Sequence, residues 1–199
     1  YFGTGNPGPW NSHVRKGDNL YSSSTVAIDV KTGKIAWSYQ NTPNDAWDFD
    51  GVNEFVTFDM DGKRMGGKAD RNGFFYVIDA TSGKLLNAFP FVKKVTWASG
   101  IDLKTGMPIE TANNEKRPRL KKWAKDICPN LLGGKNWMPM SYNPNTGLVY
   151  IPTLNLCMDL EGVQEEYKRG QFYLGVNFDL DKVGPGGHGG GLKAWDPVK

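Results

Sequence analysis

Ala27-Ile28-Asp29-Val30-Lys31-Thr32-Gly33-Lys34-Ile35-Ala36-Trp37 decides the fold, because the chain repeats it. Val77-Ile78-Asp79-Ala80-Thr81-Ser82-Gly83-Lys84-Leu85-Leu86 is a close echo. Gly100-Ile101-Asp102-Leu103-Lys104-Thr105-Gly106 and Ser141-Tyr142-Asn143-Pro144-Asn145-Thr146-Gly147 are weaker copies, and a last one opens at Ala194-Trp195-Asp196-Pro197-Val198-Lys199. The common core is Asp or Asn, three residues, then Gly, between apolar runs. Its physics is that of a hairpin: the side-chain oxygen accepts from backbone N–H groups of the turn, and Gly takes the positive φ of the return. One hairpin unit repeated, with aromatics after the turn, indicates a β-propeller or a related array. A β-sandwich of unrelated hairpins is the alternative, and the shared turn chemistry speaks against it.

Composition agrees with an all-β chain. The 199 residues include 25 Gly, 7 Trp, 8 Tyr and 10 Phe, the mixture of turn formers and strand-favouring aromatics such folds use. Helix signals are weak; only 116–126 and 163–169 read as short helices or turns. No apolar run approaches the ~18 residues a membrane-spanning helix needs, so no membrane span is expected. The net charge of +3 is spread out except in 116–125, where six of ten residues are Lys or Arg. That run reads as a solvated loop, and nucleic acid is not an expected partner. The chain lacks an initiator Met and a signal peptide, opens on what reads as the end of a strand and stops inside a repeat. It therefore reads as an internal fragment of a longer protein. Cys128 and Cys157 stand in no metal-binding spacing, and with two His in the chain a zinc site is not expected. The residues alone leave two readings open for the pair: a disulfide or two buried free thiols.

Four stretches can carry chemistry. Gly3-Thr4-Gly5-Asn6-Pro7-Gly8-Pro9-Trp10-Asn11 is a rigid turn able to aim the Asn6 amide at a metal or cofactor, the plainer reading being Asn6 as a turn-former. Asn44-Asp45-Ala46-Trp47-Asp48-Phe49-Asp50-Gly51 places carboxylates between large rings. If 47–50 is extended, Asp48 and Asp50 share one face and Trp47 and Phe49 pack on the other. Two such carboxylates repel unless a cation or proton lies between them, and hard cations prefer oxygen donors; the plainer reading of this stretch is a surface turn with solvated acids. Asp70-Arg71-Asn72-Gly73-Phe74-Phe75-Tyr76 puts Arg71 at a strand mouth, suited to anionic or carbonyl oxygens. The plainer reading of Arg71 is an ion pair with Asp70 or another loop acid. Gly133-Gly134-Lys135-Asn136-Trp137 could flank a planar ligand, but no Ser or Thr follows Lys135, so it is no phosphate loop. The Gly-rich run 184–191 reads as a flexible surface loop with His188 facing solvent. No hydrolase elbow, zinc-protease helix or dinucleotide fingerprint is present.

Taken together, these motifs in this order resemble the pyrroloquinoline quinone (PQQ)-dependent alcohol dehydrogenases, the quinoprotein methanol and ethanol dehydrogenases. The resemblance spans essentially the whole chain and includes G-T-G-N-P-G-P-W-N, W-D-F-D-G-V-N-E, D-R-N-G-F-F-Y-V-I-D, D-I-C-P and G-G-L-K-A-W-D. It implies that the repeat is the family's tryptophan-docking motif in an eight-bladed propeller, of which residues 1–199 would supply three to four blades. It implies roles for matching positions: Asn6 as a metal ligand, Asp48 as metal ligand and catalytic base, Arg71 on the quinone oxygens, Asn136 with Trp137 in a cofactor-contacting loop, and Cys128–Cys157 as a structural disulfide.

Asp50 discriminates within the family. Calcium enzymes carry a small or neutral residue two positions after the catalytic aspartate; the lanthanide-dependent branch carries Asp there. A trivalent ion favours the further carboxylate. The resemblance thus implies oxidation of primary alcohols to aldehydes by hydride transfer to PQQ, with a lanthanide ion as Lewis acid. The segments around 95–106 and 134–144 are similar to ethanol-type more than methanol-type enzymes. A c-type cytochrome as electron acceptor and a periplasmic location also follow from the resemblance, and a homodimer of the full-length protein is compatible with it. The remaining metal and quinone contacts belong outside these residues, so the fragment alone is expected to bind PQQ poorly or not at all. Two alternatives stand beside this reading: a calcium-dependent enzyme of the same family, and a non-catalytic propeller scaffold. The scaffold would share the hairpins but have no reason to keep Asn6, Asp48, Asp50 and Arg71 together.

Overall fold

The computed structural model describes residues 1–198, apart from the side chain of Asp181; Lys199, which ends the last repeat copy, lies outside the described residues. The paired strands among the described residues are all antiparallel. Strands β1 (Phe2–Gly3), β2 (Ser24–Ile28) and β3 (Ile35–Gln40) form one sheet. Strands β4 (Val56–Met60), β5 (Lys63–Ala69), β6 (Phe74–Asp79) and β7 (Leu85–Pro90) form a four-stranded meander, and β8 (Ala98–Ile101) pairs with β9 (Pro108–Glu110). The later strands interleave. Strand β10 (Trp123–Ile127) pairs with β13 (Leu156–Gly162), which pairs with β14 (Val176–Val183); β11 (Ser141–Asn143) pairs with β12 (Leu148–Leu154), which pairs with β15 (Gly190–Trp195).

The repeated turn forms as its residues dictate. Asp29 Oδ1 accepts from the N–H groups of Lys31 and Thr32, both at 2.9 Å. Asp79 Oδ1 accepts from Thr81 at 2.8 Å and Ser82 at 3.0 Å, Asp102 Oδ1 from Lys104 at 2.8 Å, and Asn143 Oδ1 from Asn145 at 2.9 Å. Gly33, Gly83, Gly106 and Gly147 each donate back to the Asp or Asn carbonyl and hold φ between 69° and 75°. The turn N–H groups that donate to Oδ1 hold the Asp29, Asp79 and Asp102 carboxyls below the usual carboxylate range.

Two of these turns also receive a ring from an earlier strand. The Trp37 indole lies on Gly83, where a Cβ would come within 2.7 Å of it, and Trp37 Nε1 donates to Ala80 O at 3.1 Å. Tyr39 docks on the next turn, its hydroxyl donating to Gly106 O at 2.7 Å. Strand β6 lies between two cores, as its continuous apolar run requires. Phe74, Tyr76 and Ile78 face one cluster with Trp47, Phe49 and Trp97; Phe75 and Val77 face another with Phe58, Met65 and Phe91.

Two expectations are corrected. Among the described residues the helical elements are two short 3-10 turns, Ser12–Val14 and Ala112–Asn114. The stretch 163–169 is irregular, and 116–126 runs through a turn into β10, paired with β13. Nor is 116–125 wholly a solvated loop: Arg117 is buried and forms a two-pronged ion pair with Glu110. The basic composition hid a guanidinium that also donates to Ser12 and Asn44, far away in the chain. Cys128 and Cys157 are joined in a disulfide, which ties the end of β10 to β13. Asp126 lies beside it, but bridged sulfurs offer no thiolate to a metal.

Candidate active site

The segment 44–51 is irregular, and its two rings anchor it. Trp47 and Phe49 are fully buried, stacked at 5.6 Å, and both contact Trp97. The extended geometry considered for 47–50 does not occur: Asp48 has φ +67°. The outcome is nevertheless the expected partition, with rings inside and the Asp48 and Asp50 carboxylates toward the Arg71 guanidinium, each 17% exposed. Asp45 shapes the loop from below, accepting from Trp47 N–H at 2.9 Å and the Ser23 hydroxyl at 3.2 Å. Burial pushes its carboxyl up to about 6 in spite of these bonds. The Arg117 guanidinium lies 4.7 Å from the Trp47 ring centre and donates to Asn44 O at 2.7 Å.

Asn6 is brought to this loop by close backbone approach. A Cβ on Gly3 would lie 1.7 Å from Gly51 O, so only Gly lets the two segments touch. Gly51 N–H donates to Thr4 O at 2.9 Å, and Asn6 N–H donates to Asp50 Oδ1 at 2.6 Å. Arg71 enters from the turn between β5 and β6. Its Nη1 lies 3.0 Å from Asp50 Oδ2 and 3.4 Å from Asp48 Oδ2, and donates to Asp48 O at 3.1 Å and Leu131 O at 3.3 Å. The plainer reading of Arg71, an ion pair with a loop acid, is met by Asp50 and Asp48 and not by Asp70, which faces Lys68 3.1 Å away.

The loop 131–137 borders Arg71. Gly133 lies against the Arg71 side chain, and Gly134 N–H donates to Arg71 O at 2.8 Å. Within this loop the Asn136 amide bonds Leu132 O and Trp137 N–H, and the Trp137 ring is 81% exposed. The structure thus brings the Asp48, Asp50 and Arg71 side chains together and sets the backbone of Asn6 on Asp50, the Asn6 amide itself contacting Pro7 O at 3.5 Å, while Asn136 and Trp137 are held at the edge through their own loop. His188 is exposed, as expected, and its loop is tied down by Asn155, which donates to Pro185 O and His188 O.

The donor set fits an oxygen-seeking cation and a flat anionic acceptor. Burial first, and the Asp50 carboxylate second, pushes the Asp48 carboxyl up to about 7 against the pull of Arg71. A cation between the two carboxylates relieves that repulsion. Arg71 Nε is buried with no hydrogen-bond partner among the described residues, a donor suited to a ligand oxygen. Sequence reasoning missed the fully buried Lys68–Asp70 pair and the Lys135–Glu54 pair, 2.7 Å apart. Lys68 follows a Gly-Gly pair in a strand and carries no local sign that it faces inward.

The family model for the β-propeller domain of PQQ-dependent glucose, ethanol and alcohol dehydrogenases matches residues 1–102, just over half of the chain. The chain belongs to this family. As a quinoprotein propeller chain it is 48% identical over 209 residues to a quinoprotein alcohol dehydrogenase of Pseudomonas putida, PedH, an alignment covering 99% of this chain and 34% of that protein. It is 46% identical to a lanthanide-dependent methanol dehydrogenase of Methylacidiphilum fumariolicum, over 89% of this chain and 29% of that protein. Among solved structures, a europium-containing methanol dehydrogenase superposes with a TM-score of 0.94 at 42% identity, over 99% of this chain and 35% of that one. This quinoprotein propeller chain spans about a third of the length of the curated relatives it matches. No helix among the described residues is long and apolar enough to cross a membrane.

Proposed function

We propose that residues 1–199 are the metal- and quinone-facing portion, three to four blades, of a dehydrogenase that oxidises primary alcohols to aldehydes. The observation that carries this is the convergence of Asp48, Asp50 and Arg71, with Arg71 Nη1 3.0 Å from Asp50 and 3.4 Å from Asp48. Asn6, Asp48 and Asp50 would hold a lanthanide ion, and Arg71 would face PQQ, with Asn136 and Trp137 at its edge. When bound, PQQ and its ion supply the hydride acceptor. The Asp48 carboxylate takes the hydroxyl proton of the alcohol as general base. Arg71 stabilises negative charge on oxygens in front of it. The buried rings of Trp47 and Phe49 keep water from the inner side of the loop. Asp50 supports a trivalent rather than divalent ion, since calcium needs less negative charge around it.

A c-type cytochrome as electron acceptor, a periplasmic location and a homodimer belong to the same proposal and rest on family resemblance. The deciding experiment is dye-linked alcohol oxidation by the full-length protein with PQQ, comparing lanthanum with calcium. Lanthanum-dependent turnover is expected. Turnover with calcium alone would point to the calcium-dependent reading, and absence of both bound quinone and turnover to a propeller scaffold.

A further inference from the structure

We propose that Lys68 is a positioning residue that sets the separation between the Asp48–Asp50 carboxylates and the Arg71 guanidinium. The inference rests on the role proposed above for those three residues. Lys68 lies in β5 with its side chain fully buried. Its Nζ donates to Gly51 O at 2.6 Å, Thr25 Oγ1 at 2.9 Å and Asn41 Oδ1 at 3.1 Å, and lies 3.1 Å from Asp70 Oδ2. Gly51 directly follows Asp50, and Asp70 directly precedes Arg71. A single ammonium thus grips the chain next to each of the two groups that must face one another.

Backbone pairing fixes Lys68 opposite Tyr76, whatever its side chain. Among the described residues, Lys68 is the one Lys or Arg buried within a strand. Burying an ammonium costs several kcal/mol unless oxygens surround it. Here four oxygens surround three protons, drawn from β2, the 41 loop, the 51 loop and the Arg71 turn. A shift of any one of these segments would strip a partner from a charge that has no access to water. The arrangement therefore resists changes in spacing between the carboxylate loop and the guanidinium turn. Lys68 itself touches neither set of side chains, so its influence passes through Gly51 and Asp70.

The test uses the full-length protein carrying Lys68→Met, and separately Asp70→Asn, which keeps shape while weakening the link to the Arg71 turn. Lanthanum is titrated against a chelating dye with PQQ supplied, and the bound-PQQ absorption spectrum is recorded. Affinity is normalised to folded protein by near-ultraviolet circular dichroism. Both variants should bind lanthanum more weakly, roughly 10–100-fold for Lys68→Met, with a shifted quinone spectrum. Gly83→Ala, which destabilises a distant turn, should leave both readouts at parent values. A folded Lys68→Met that binds lanthanum as tightly as the parent, with an unchanged spectrum, would overturn the proposal. Should Lys68→Met fail to fold, parental affinity and spectrum in Asp70→Asn would do the same. If the parent protein itself binds neither lanthanum nor PQQ, the proposed function falls, and this inference with it.

Discussion

The backbone N–H of Asn6 donates to Asp50 Oδ1 at 2.6 Å, closing a contact across 44 residues of chain. The other oxygen of Asp50 faces Arg71 at 3.0 Å. Asp50 therefore joins three segments and adds a negative charge beside Asp48. Under the proposed function, Asp50→Ala should abolish lanthanum-dependent alcohol oxidation by the full-length protein, because the proposed ion would lose a carboxylate and Arg71 loses a partner. It should also let the Asp48 carboxyl fall back toward its ordinary range, since Asp50 is a cause of its elevation. Undiminished turnover with lanthanum would count against the assignment of Asp50.

Stability should depend on pH through Asp45. Its carboxyl is pushed from 3.8 up to about 6 in the folded chain, chiefly by burial. The folded state then binds the proton more tightly than the unfolded state. The stabilisation is complete below about pH 4 and is lost as pH rises through about 6. Asp45→Asn removes this dependence while keeping an acceptor for Trp47 N–H. Between pH 4 and 7 the parent should lose on the order of 2–3 kcal/mol more than the variant. Urea titrations of both proteins at the two pH values measure it.

The docking of Trp37 on Gly83 makes a separate prediction. Gly83 has φ +75°, and a Cβ there would approach the indole to 2.7 Å. Gly83→Ala should cost about 2 kcal/mol or more, combining left-handed strain with displacement of the ring. A denaturant midpoint equal to the parent's would show that the ring moves aside freely.

The disulfide should contribute mainly by restraining the unfolded chain. Cys128 and Cys157 are separated by 29 residues. Closing such a loop is worth about 3–4 kcal/mol in the chain-entropy account. Unfolding of the protein with and without a thiol reductant measures the difference, and Cys128→Ser with Cys157→Ser should reproduce it.

The residues of the candidate site that the sequence offered lie in short, distinctive stretches. Asn6 stands in a Pro- and Gly-rich turn, and Asp48 and Asp50 alternate with rings that could only pack inward. The route by which they converge was not legible. An extended segment would have placed both carboxylates on one face; the chain instead uses a left-handed Asp48, held by Asp45 and by Arg117 against Trp47. Arg117 looked like one more surface cation because its partners Ser12, Asn44 and Glu110 come from elsewhere in the chain.

By itself the sequence determined the repeated hairpin. The Asp or Asn oxygen, the turn N–H groups and the Gly with positive φ all lie within five residues, so local chemistry suffices. It also determined the apolar run of β6, whose two faces must both be covered. The tertiary structure alone decided the charge pairing: Arg71 with Asp48 and Asp50, Lys68 with Asp70, Lys135 with Glu54. A charged side chain is neutralised by whichever oxygens the packed strands and loops deliver within about 3–4 Å. That delivery depends on contacts between segments far apart in the chain, which no local pattern encodes.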